Sequence, residues 1–213
     1  MSGSDDEQLV QFKDWWQRNG KPLVTGGLLA LVVVFGWQGW QKYQGNQAQG
    51  ASSLYQQLLE TALTPGGKPD QAKVDYLAGE LSKNYSGTAY EQYAKLFQAK
   101  VNVDAGRADA AAGQLQAVVD KPLNPTLGEV ARQRLAQILA AQGKTEDALK
   151  LLDGEADKAF VASREELRGD LLAKLGRADD AAAAYRKAKG ALADDAAVGD
   201  LQLKLDDLAK GDA

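Results

Sequence analysis

The longest apolar run of the chain covers residues 22–41 and contains no charged side chain. About 20 residues in helical conformation extend about 30 Å, which matches the hydrocarbon core of a bilayer. The middle of the run is filled by leucine, valine and phenylalanine, each of which favours insertion by about 0.3–0.6 kcal/mol. A buried core helix of a soluble protein is the alternative, and it is less consistent with this length. The pattern therefore predicts one transmembrane helix.

Charged residues flank this run unequally. Lys13, Arg18 and Lys21 precede it, whereas Lys42 is the only basic residue among the 25 that follow it. Basic residues close to a span tend to remain in the cytoplasm. Residues 1–21 are therefore predicted to be cytoplasmic, and the part of the chain after the span is predicted to be exported.

All four tryptophans lie at the two ends of the run, at Trp15, Trp16, Trp37 and Trp40. Amphipathic rings prefer the headgroup level of a bilayer, so these side chains are predicted to be membrane-interface anchors. The bulky Trp37 and Trp40 also lie where a signal-peptide cleavage site would need small residues. The segment is therefore predicted to be an uncleaved signal anchor rather than a cleaved signal peptide.

The pattern on either side of the span favours helices throughout. Residues 1–21 place Leu9, Phe12, Trp15 and Trp16 on one face, which predicts a short amphipathic helix on the inner membrane surface. Asn19-Gly20 and Pro22 are expected to break this helix before the span. No stretch shows the alternation of a strand, so the fold is predicted to be all-α. The predicted segments after the span are a polar linker at 42–50 and helices at 51–63 and 70–84.

A six-residue pattern then recurs three times. Each copy has glycine, a base, a spacer, an acid, one more residue and alanine, beginning at Gly106, Gly143 and Gly176, with spacings of 37 and 33 residues. Glycine readily adopts the left-handed conformation that ends a helix, and the acids are favoured at the start of the next one. The pattern therefore predicts three helix pairs that stack to bury their apolar faces.

Further positions recur in the same register. The first helices are predicted to open with capping boxes at Thr88, Thr126 and Ser163. Small residues lie seven positions before each glycine, and large ones nine positions after it. These two sets are Ala99, Ala136 and Gly169, and Leu115, Leu152 and Tyr185. Ala111, Ala148 and Ala181 are expected to let each second helix approach the first closely.

These features resemble tetratricopeptide repeats over residues 88–195. The resemblance implies a right-handed helical-repeat domain, which we place at residues 51–210. The second repeat departs from the pattern, because Asp153-Gly154 is expected to shorten its second helix. Residues 195–210 are predicted to form a final amphipathic helix that caps the stack.

The composition excludes several classes of metal site and catalytic site. The chain has no cysteine and no histidine, which excludes Cys/His zinc sites, histidine general bases and Ser-His or Cys-His nucleophile pairs. The net charge of -4 gives no indication of nucleic-acid binding. Paired carboxylates are predicted to be solvated helix ends or faces rather than catalytic or cation sites; they are Asp179-Asp180, Asp194-Asp195 and Asp206-Asp207. No catalytic, cofactor or metal site is predicted, and the protein is predicted not to be an enzyme.

The whole arrangement, together with the stretch ELRGDLLAKLG at residues 166–176, resembles the YfgM family, the ancillary subunits of the bacterial SecYEG translocon. The resemblance implies a single-pass inner-membrane protein with a periplasmic domain. It also implies contact with SecYEG, with exported polypeptides, and with periplasmic chaperones, including the membrane-anchored prolyl isomerase PpiD. Membrane lipid is a further expected partner. The alternative is an inner-membrane-anchored periplasmic scaffold for envelope assembly or cell division.

By similarity to the repeat family, the first helix of each pair is expected to line a concave groove that binds partners. The residues expected to face this groove are Tyr93, Lys100, Gln133, Gln137, Asp170 and Lys174. This set is mixed and mostly polar, which favours weak and varied contacts with exported chains over one tight ligand.

Overall fold

The computed structural model describes residues 3–63, 69–192 and 199–211, and within these ranges every regular element is helical. Two compact units are present, Met1–Gln49 and Gly50–Ala213. The helices, in chain order, are α1 (Gly3–Ala62), α2 (Gln71–Asn84), α3 (Ala89–Asp104), α4 (Ala108–Asp120), α5 (Pro125–Ala141), α6 (Thr145–Leu151), a 3₁₀ turn (Lys158–Phe160), α7 (Val161–Lys174), α8 (Ala178–Gly190) and α9 (Gly199–Gly211).

The described part of the first unit is the stretch of helix α1 up to Gln49, and its apolar side chains are exposed. The large apolar residues described between Leu9 and Tyr43 are 48–69% exposed. The helix is long and apolar enough to cross a membrane, by length and composition, and its apolar window has no buried residue. A helix that is apolar all round needs an apolar surrounding. These properties agree with the predicted transmembrane helix at residues 22–41.

The expected helix breaks at Asn19-Gly20 and Pro22 are wrong, because α1 continues through them. The segment 42–50, predicted to be a polar linker, is helical as well, and the boundary between the two units falls within it, after Gln49. Proline removes one backbone hydrogen bond, here the one that the Arg18 carbonyl would accept from residue 22. Two polar side chains nearby bond to other carbonyls of the same helix. Thr25 Oγ1 donates to the Lys21 carbonyl at 2.8 Å, and Asn19 Nδ2 donates to the Trp15 carbonyl at 3.1 Å. The 42–50 segment has three glutamines, one lysine and one alanine, which are good helix formers, and its two glycines do not interrupt the helix.

Helix starts in the second unit follow N-capping rules, although two predicted capping boxes are misplaced. Thr88 caps α3 as expected, since its Oγ1 accepts from the Glu91 amide at 3.2 Å. Helix α5 is capped by Asn124, followed by Pro125, so Thr126 already lies inside it. Ser163 lies inside the first turn of α7, because the 3₁₀ turn runs directly into that helix and moves its start to Val161.

The three repeated turns have the same backbone geometry. Gly106, Gly143 and Gly176 have φ of 74°, 82° and 74°, the left-handed conformation that glycine adopts at little cost. In each turn the amide after the glycine donates to a carbonyl five residues earlier, at 2.8, 2.9 and 3.0 Å respectively. This is the Schellman arrangement that satisfies the last carbonyls of a helix. The predicted glycine turns are therefore confirmed.

Packing between paired helices follows the predicted register. The alanines after each turn are completely buried, as is Ala136, and Ala99 and Gly169 are buried as well. Each small residue of a first helix shares its repeat with a large buried side chain of the second helix, namely Leu115, Leu152 or Tyr185. At Gly169 an added Cβ would overlap the ring of Tyr185. Small residues therefore set how closely the helices approach.

Among the described residues of the second unit, the buried apolar side chains form three clusters that follow one another along the chain. The first joins the end of α1 to α2 and α3, the second joins α3 to α4 and α5, and the third joins α5 to α6, α7, α8 and α9. Helix α6 has only 7 residues and the chain is irregular after it, which confirms the shortened second helix. Leu201 of α9 is buried in the third cluster, which agrees with a capping helix, although residues 195–198 of that prediction lie outside the described residues.

We expect Gly169→Ala to destabilise the repeat domain by about 1–3 kcal/mol, as overpacking of a core generally does. Adding Tyr185→Leu should recover part of the loss, because the other two repeats combine alanine with leucine at these positions. Urea unfolding of the full chain in detergent micelles, followed by circular dichroism, measures the change. Gly113→Ala is the matched control, since a Cβ there meets nothing within 4 Å. Equal stability of the two alanine variants would contradict the packing argument.

Candidate protein-interaction groove

A groove of about 420 Å³ lies between helices α3 and α5, with α4 beneath it. Its floor is apolar and buried, formed by Leu96, Ala99 and Leu115. Val103, at the end of α3, also lines it and is 47% exposed. Apolar concave surfaces of this volume fall in the range that proteins use to bind ligands. The groove can therefore accept a few aliphatic side chains from a partner.

The rim of the groove is polar and contains both positively and negatively charged side chains. Lys100 Nζ is paired with the Asp104 carboxylate at 2.6 Å, one helical turn apart on α3. Opposite them, α5 presents Arg134 and Gln137, which have no hydrogen bond or ion pair with any residue that the structure describes. These two side chains are exposed and available to a bound partner. An apolar floor with a polar rim suits a peptide segment better than a small reactive substrate.

The structure brings two of the six expected groove residues to this groove, Lys100 and Gln137. Tyr93 lies in an aromatic cluster instead, with ring centroids 5.9 Å from Tyr55 and 6.3 Å from Tyr90. Tyr55 belongs to the end of α1, so this cluster joins α1 to α3. Tyr93 thus contributes to packing between helices within the second unit.

The other three expected groove residues are engaged between helices. Gln133 Nε2 donates to Glu129 at 3.0 Å and to Ser163 Oγ at 3.1 Å. Lys174 Nζ donates to the Ala140 carbonyl at 2.5 Å, at the end of α5.

Asp170 has two partners on neighbouring helices. It accepts from the Tyr185 hydroxyl at 2.8 Å and pairs with Lys204 of α9 at 2.7 Å. Burial, followed by the hydrogen bond to this carboxylate, raises the pKa of Tyr185. Asp170 therefore helps to hold α7, α8 and the capping helix together.

Sequence reasoning did not single out Val103, Arg134 or Ile138, which also line the groove. A signal for two of them was present. Val103 follows Lys100 by three positions, and Arg134 precedes Gln137 by three, so each shares a helix face with an expected residue. The residues expected to face the groove were chosen mostly for their polarity, so its aliphatic lining residues, Val103 and Ile138, were missed.

A buried ion pair joins α5 to α7. Arg164 and Glu129 have side chains only 2% and 7% exposed, and they are linked by two hydrogen bonds, one of them from Nε at 2.8 Å. Arg164 also donates to the Gly154 carbonyl at 3.2 Å. Burial raises the pKa of Glu129, but hydrogen bonds from Arg164 and Gln133 outweigh it and hold that pKa below its usual value. The pair closes the junction where α6 is short.

The described carboxylate pairs make ordinary contacts at a helix end or on a helix face. Asp180 pairs with Arg177 at 2.8 Å at the start of α8, and Asp206 accepts from Gln202 at 2.7 Å. Asp194 and Asp195 lie outside the described residues. Among the described residues, no group of three or more acidic, histidine or cysteine side chains is placed to hold a metal ion.

Stacked helix pairs with glycine turns, an apolar groove and one helix long enough to cross a membrane define a helical-repeat interaction protein of the tetratricopeptide-repeat-like class. A family model described as "Tetratricopeptide repeat-like domain" matches residues 13–210.

Comparison with curated relatives identifies a particular family within this class. A protein of Escherichia coli (strain K12) named "Ancillary SecYEG translocon subunit" is 30% identical over 85% of each chain. A protein of the same name from Neisseria gonorrhoeae is 28% identical over 96% of this chain and 97% of its own length. Another, from Haemophilus influenzae, is 28% identical over 81% of this chain and 82% of its own length. The chain therefore belongs to the family of ancillary SecYEG translocon subunits, which confirms the resemblance drawn from the sequence.

We expect Glu129→Gln to destabilise the repeat domain by about 3–5 kcal/mol, because it leaves the buried Arg164 charge without its partner. Replacing both residues, Glu129→Leu with Arg164→Met, should cost clearly less, since no unpaired charge remains. Urea unfolding at pH 7 measures both. A double variant as unstable as the single one would contradict this account of the pair.

The same pair predicts an acid dependence of stability. The pKa of Glu129 is lowered in the folded state, so its contribution is present above its unfolded pKa of about 4.3 and is lost as pH falls through the lower folded value. The stability difference between the native protein and Glu129→Gln should therefore shrink below about pH 4. Glu155→Gln, at an exposed position, is the control and should show no such change. A constant difference from pH 7 to pH 3 would refute the prediction.

Proposed function

We propose that this protein is a non-enzymatic, membrane-anchored interaction module that acts as an ancillary subunit of the Sec translocon. The groove between α3 and α5 carries the proposal, because it offers an apolar floor and unpaired polar groups to a passing polypeptide. Membership of the family supports the translocon as the place of action. In this role the repeat domain contacts exported chains briefly and does not transform them.

The anchor supports a matching location. Helix α1 provides one apolar stretch with tryptophans at both ends, which fits a single-pass protein of the inner membrane. We propose a cytoplasmic N-terminus and a periplasmic repeat domain, supported by Lys13, Arg18 and Lys21 before the stretch. The exposed apolar side chains of the stretch would then contact lipid and the translocon within the membrane.

We also propose a link from the translocon to periplasmic chaperones, with PpiD as the partner that the family resemblance implies. A repeat domain suits such a link because it combines several surfaces on one rigid stack. The groove would hold an emerging segment for the short time before a chaperone takes it over.

Photocrosslinking tests the groove assignment. A photoreactive phenylalanine analogue replacing Gln137 should form adducts with an exported polypeptide arrested during translocation. The same analogue at Phe35 in the apolar stretch should form adducts with translocon subunits. Arg186 on α8, exposed and away from the groove, is the control position and should form far fewer client adducts. Equal client adducts from positions 137 and 186 would argue against the groove as the contact site.

Orientation can be tested directly because the chain has no cysteine. Single-cysteine variants Lys158→Cys and Lys13→Cys place one thiol at an exposed position in each unit. A membrane-impermeant maleimide added to spheroplasts should label the first and not the second. Detergent lysis should make both reactive. Labelling of Lys13→Cys alone in intact spheroplasts would reverse the proposed topology.

A further inference from the structure

Arg134 is the residue of the groove whose charge is not balanced. Its guanidinium is exposed on α5 and has no ion pair or hydrogen bond with any described residue. The other cation of the rim, Lys100, is neutralised by Asp104 at 2.6 Å. On α3, Lys95 is likewise paired, with Glu91. Among the residues that the structure describes, the groove therefore offers one free positive charge beside an apolar floor.

We infer that the groove selects apolar polypeptide segments that carry an acidic side chain, with the carboxylate bound by Arg134. This inference rests on the proposed function and specifies which segments the groove prefers. A guanidinium presents a planar fork of donors that matches both oxygens of a carboxylate. Gln137, one turn further along α5, adds an amide donor at the same rim. Aliphatic side chains next to the acid then occupy the floor at Leu96, Ala99 and Leu115.

Charge complementarity argues against a preference for segments that carry a basic side chain. The carboxylate on the rim, Asp104, is already paired with Lys100, so a basic segment would gain no free anion. It would also bring a second positive charge close to Arg134. Acidic and basic segments of equal hydrophobicity should therefore differ in affinity by about fivefold, the scale of a partly exposed ion pair.

The test uses two labelled twelve-residue peptides that are identical apart from one central residue, aspartate or lysine, within a leucine- and alanine-rich sequence. The full-length protein is placed in nanodiscs of zwitterionic lipid, and binding is followed by fluorescence anisotropy. The aspartate peptide should bind about fivefold more tightly, and the preference should shrink at high salt. Arg134→Glu should reverse the preference. Equal binding of both peptides to the native protein, or an unchanged preference in Arg134→Glu, overturns the inference.

Two further variants separate charge from packing. Arg186→Glu makes the same charge change on α8, outside the groove, and should leave the preference unchanged. Val103→Asn should weaken both peptides to a similar degree, because Val103 contacts apolar side chains of either one. Leu203→Asn, which alters an exposed leucine of α9, is its control. Loss of the preference in Arg186→Glu would assign it to the overall charge and overturn the inference.

Failure of this inference differs from failure of the proposed function. If the two peptides bind equally while position 137 still crosslinks to exported chains, the charge preference is wrong and the groove remains a client site. If neither peptide binds and position 137 forms no client adduct, the proposed function fails together with the inference.

Discussion

The stack of helices depends on how closely the two helices of each pair approach. Each pair has an alanine or glycine in its first helix and a leucine or tyrosine in its second, and all of these residues are buried. The third pair shows the compensation most clearly, since the bulk of Tyr185 is accommodated by the absence of a side chain at Gly169. Closely packed interiors tolerate little change of volume at such positions. The groove lies where α3 and α5 of adjacent pairs flank α4.

Where this packing is interrupted, polar contacts hold the neighbouring helices together instead. Helix α6 is half the length of α7, and the irregular chain after it cannot supply a full apolar face. The buried pair of Glu129 and Arg164 lies at this junction and binds the Gly154 carbonyl as well. A buried ion pair is a modest source of stability compared with apolar packing, but it specifies one geometry because a misplaced charge is costly. The pair thereby fixes how the last helices join the stack.

Much of the fold could be predicted from the sequence because its strongest signals are local. A left-handed glycine ends a helix by its own geometry, and small residues in fixed register indicate close helix contacts. The continuity of α1 could not be predicted, because Pro22 and the nearby glycines disfavour a helix by only a few kcal/mol, which does not decide whether the helix ends there. The start of α5 depended on which of several polar residues the chain used as a cap, and it used Asn124. The start of α7 at Val161 has no side-chain cap, because a 3₁₀ turn leads directly into that helix.

The groove was harder to predict than the helices. Lys100 and Gln137 were assigned by helix face, and they line it. Gln133, Asp170 and Lys174 share a similar pattern in the sequence, yet each is engaged by a neighbouring helix. Which polar residues remain free depends on contacts 30 or more residues away, as for Gln133 with Ser163. A periodic pattern identifies a face, whereas only the packed structure shows which of its side chains are already used.

Helix α1 also provides part of the repeat domain. Its last turns supply Ala51 and Leu58, both completely buried against α2 and α3. A fragment released by cutting after Leu63 would lose one wall of its first core cluster and expose Val74, Leu77 and Leu81 to water. Proteolytic cleavage at this point would thus release an aggregation-prone fragment rather than a functional soluble form. Recombinant versions without the anchor should therefore begin before Gly50.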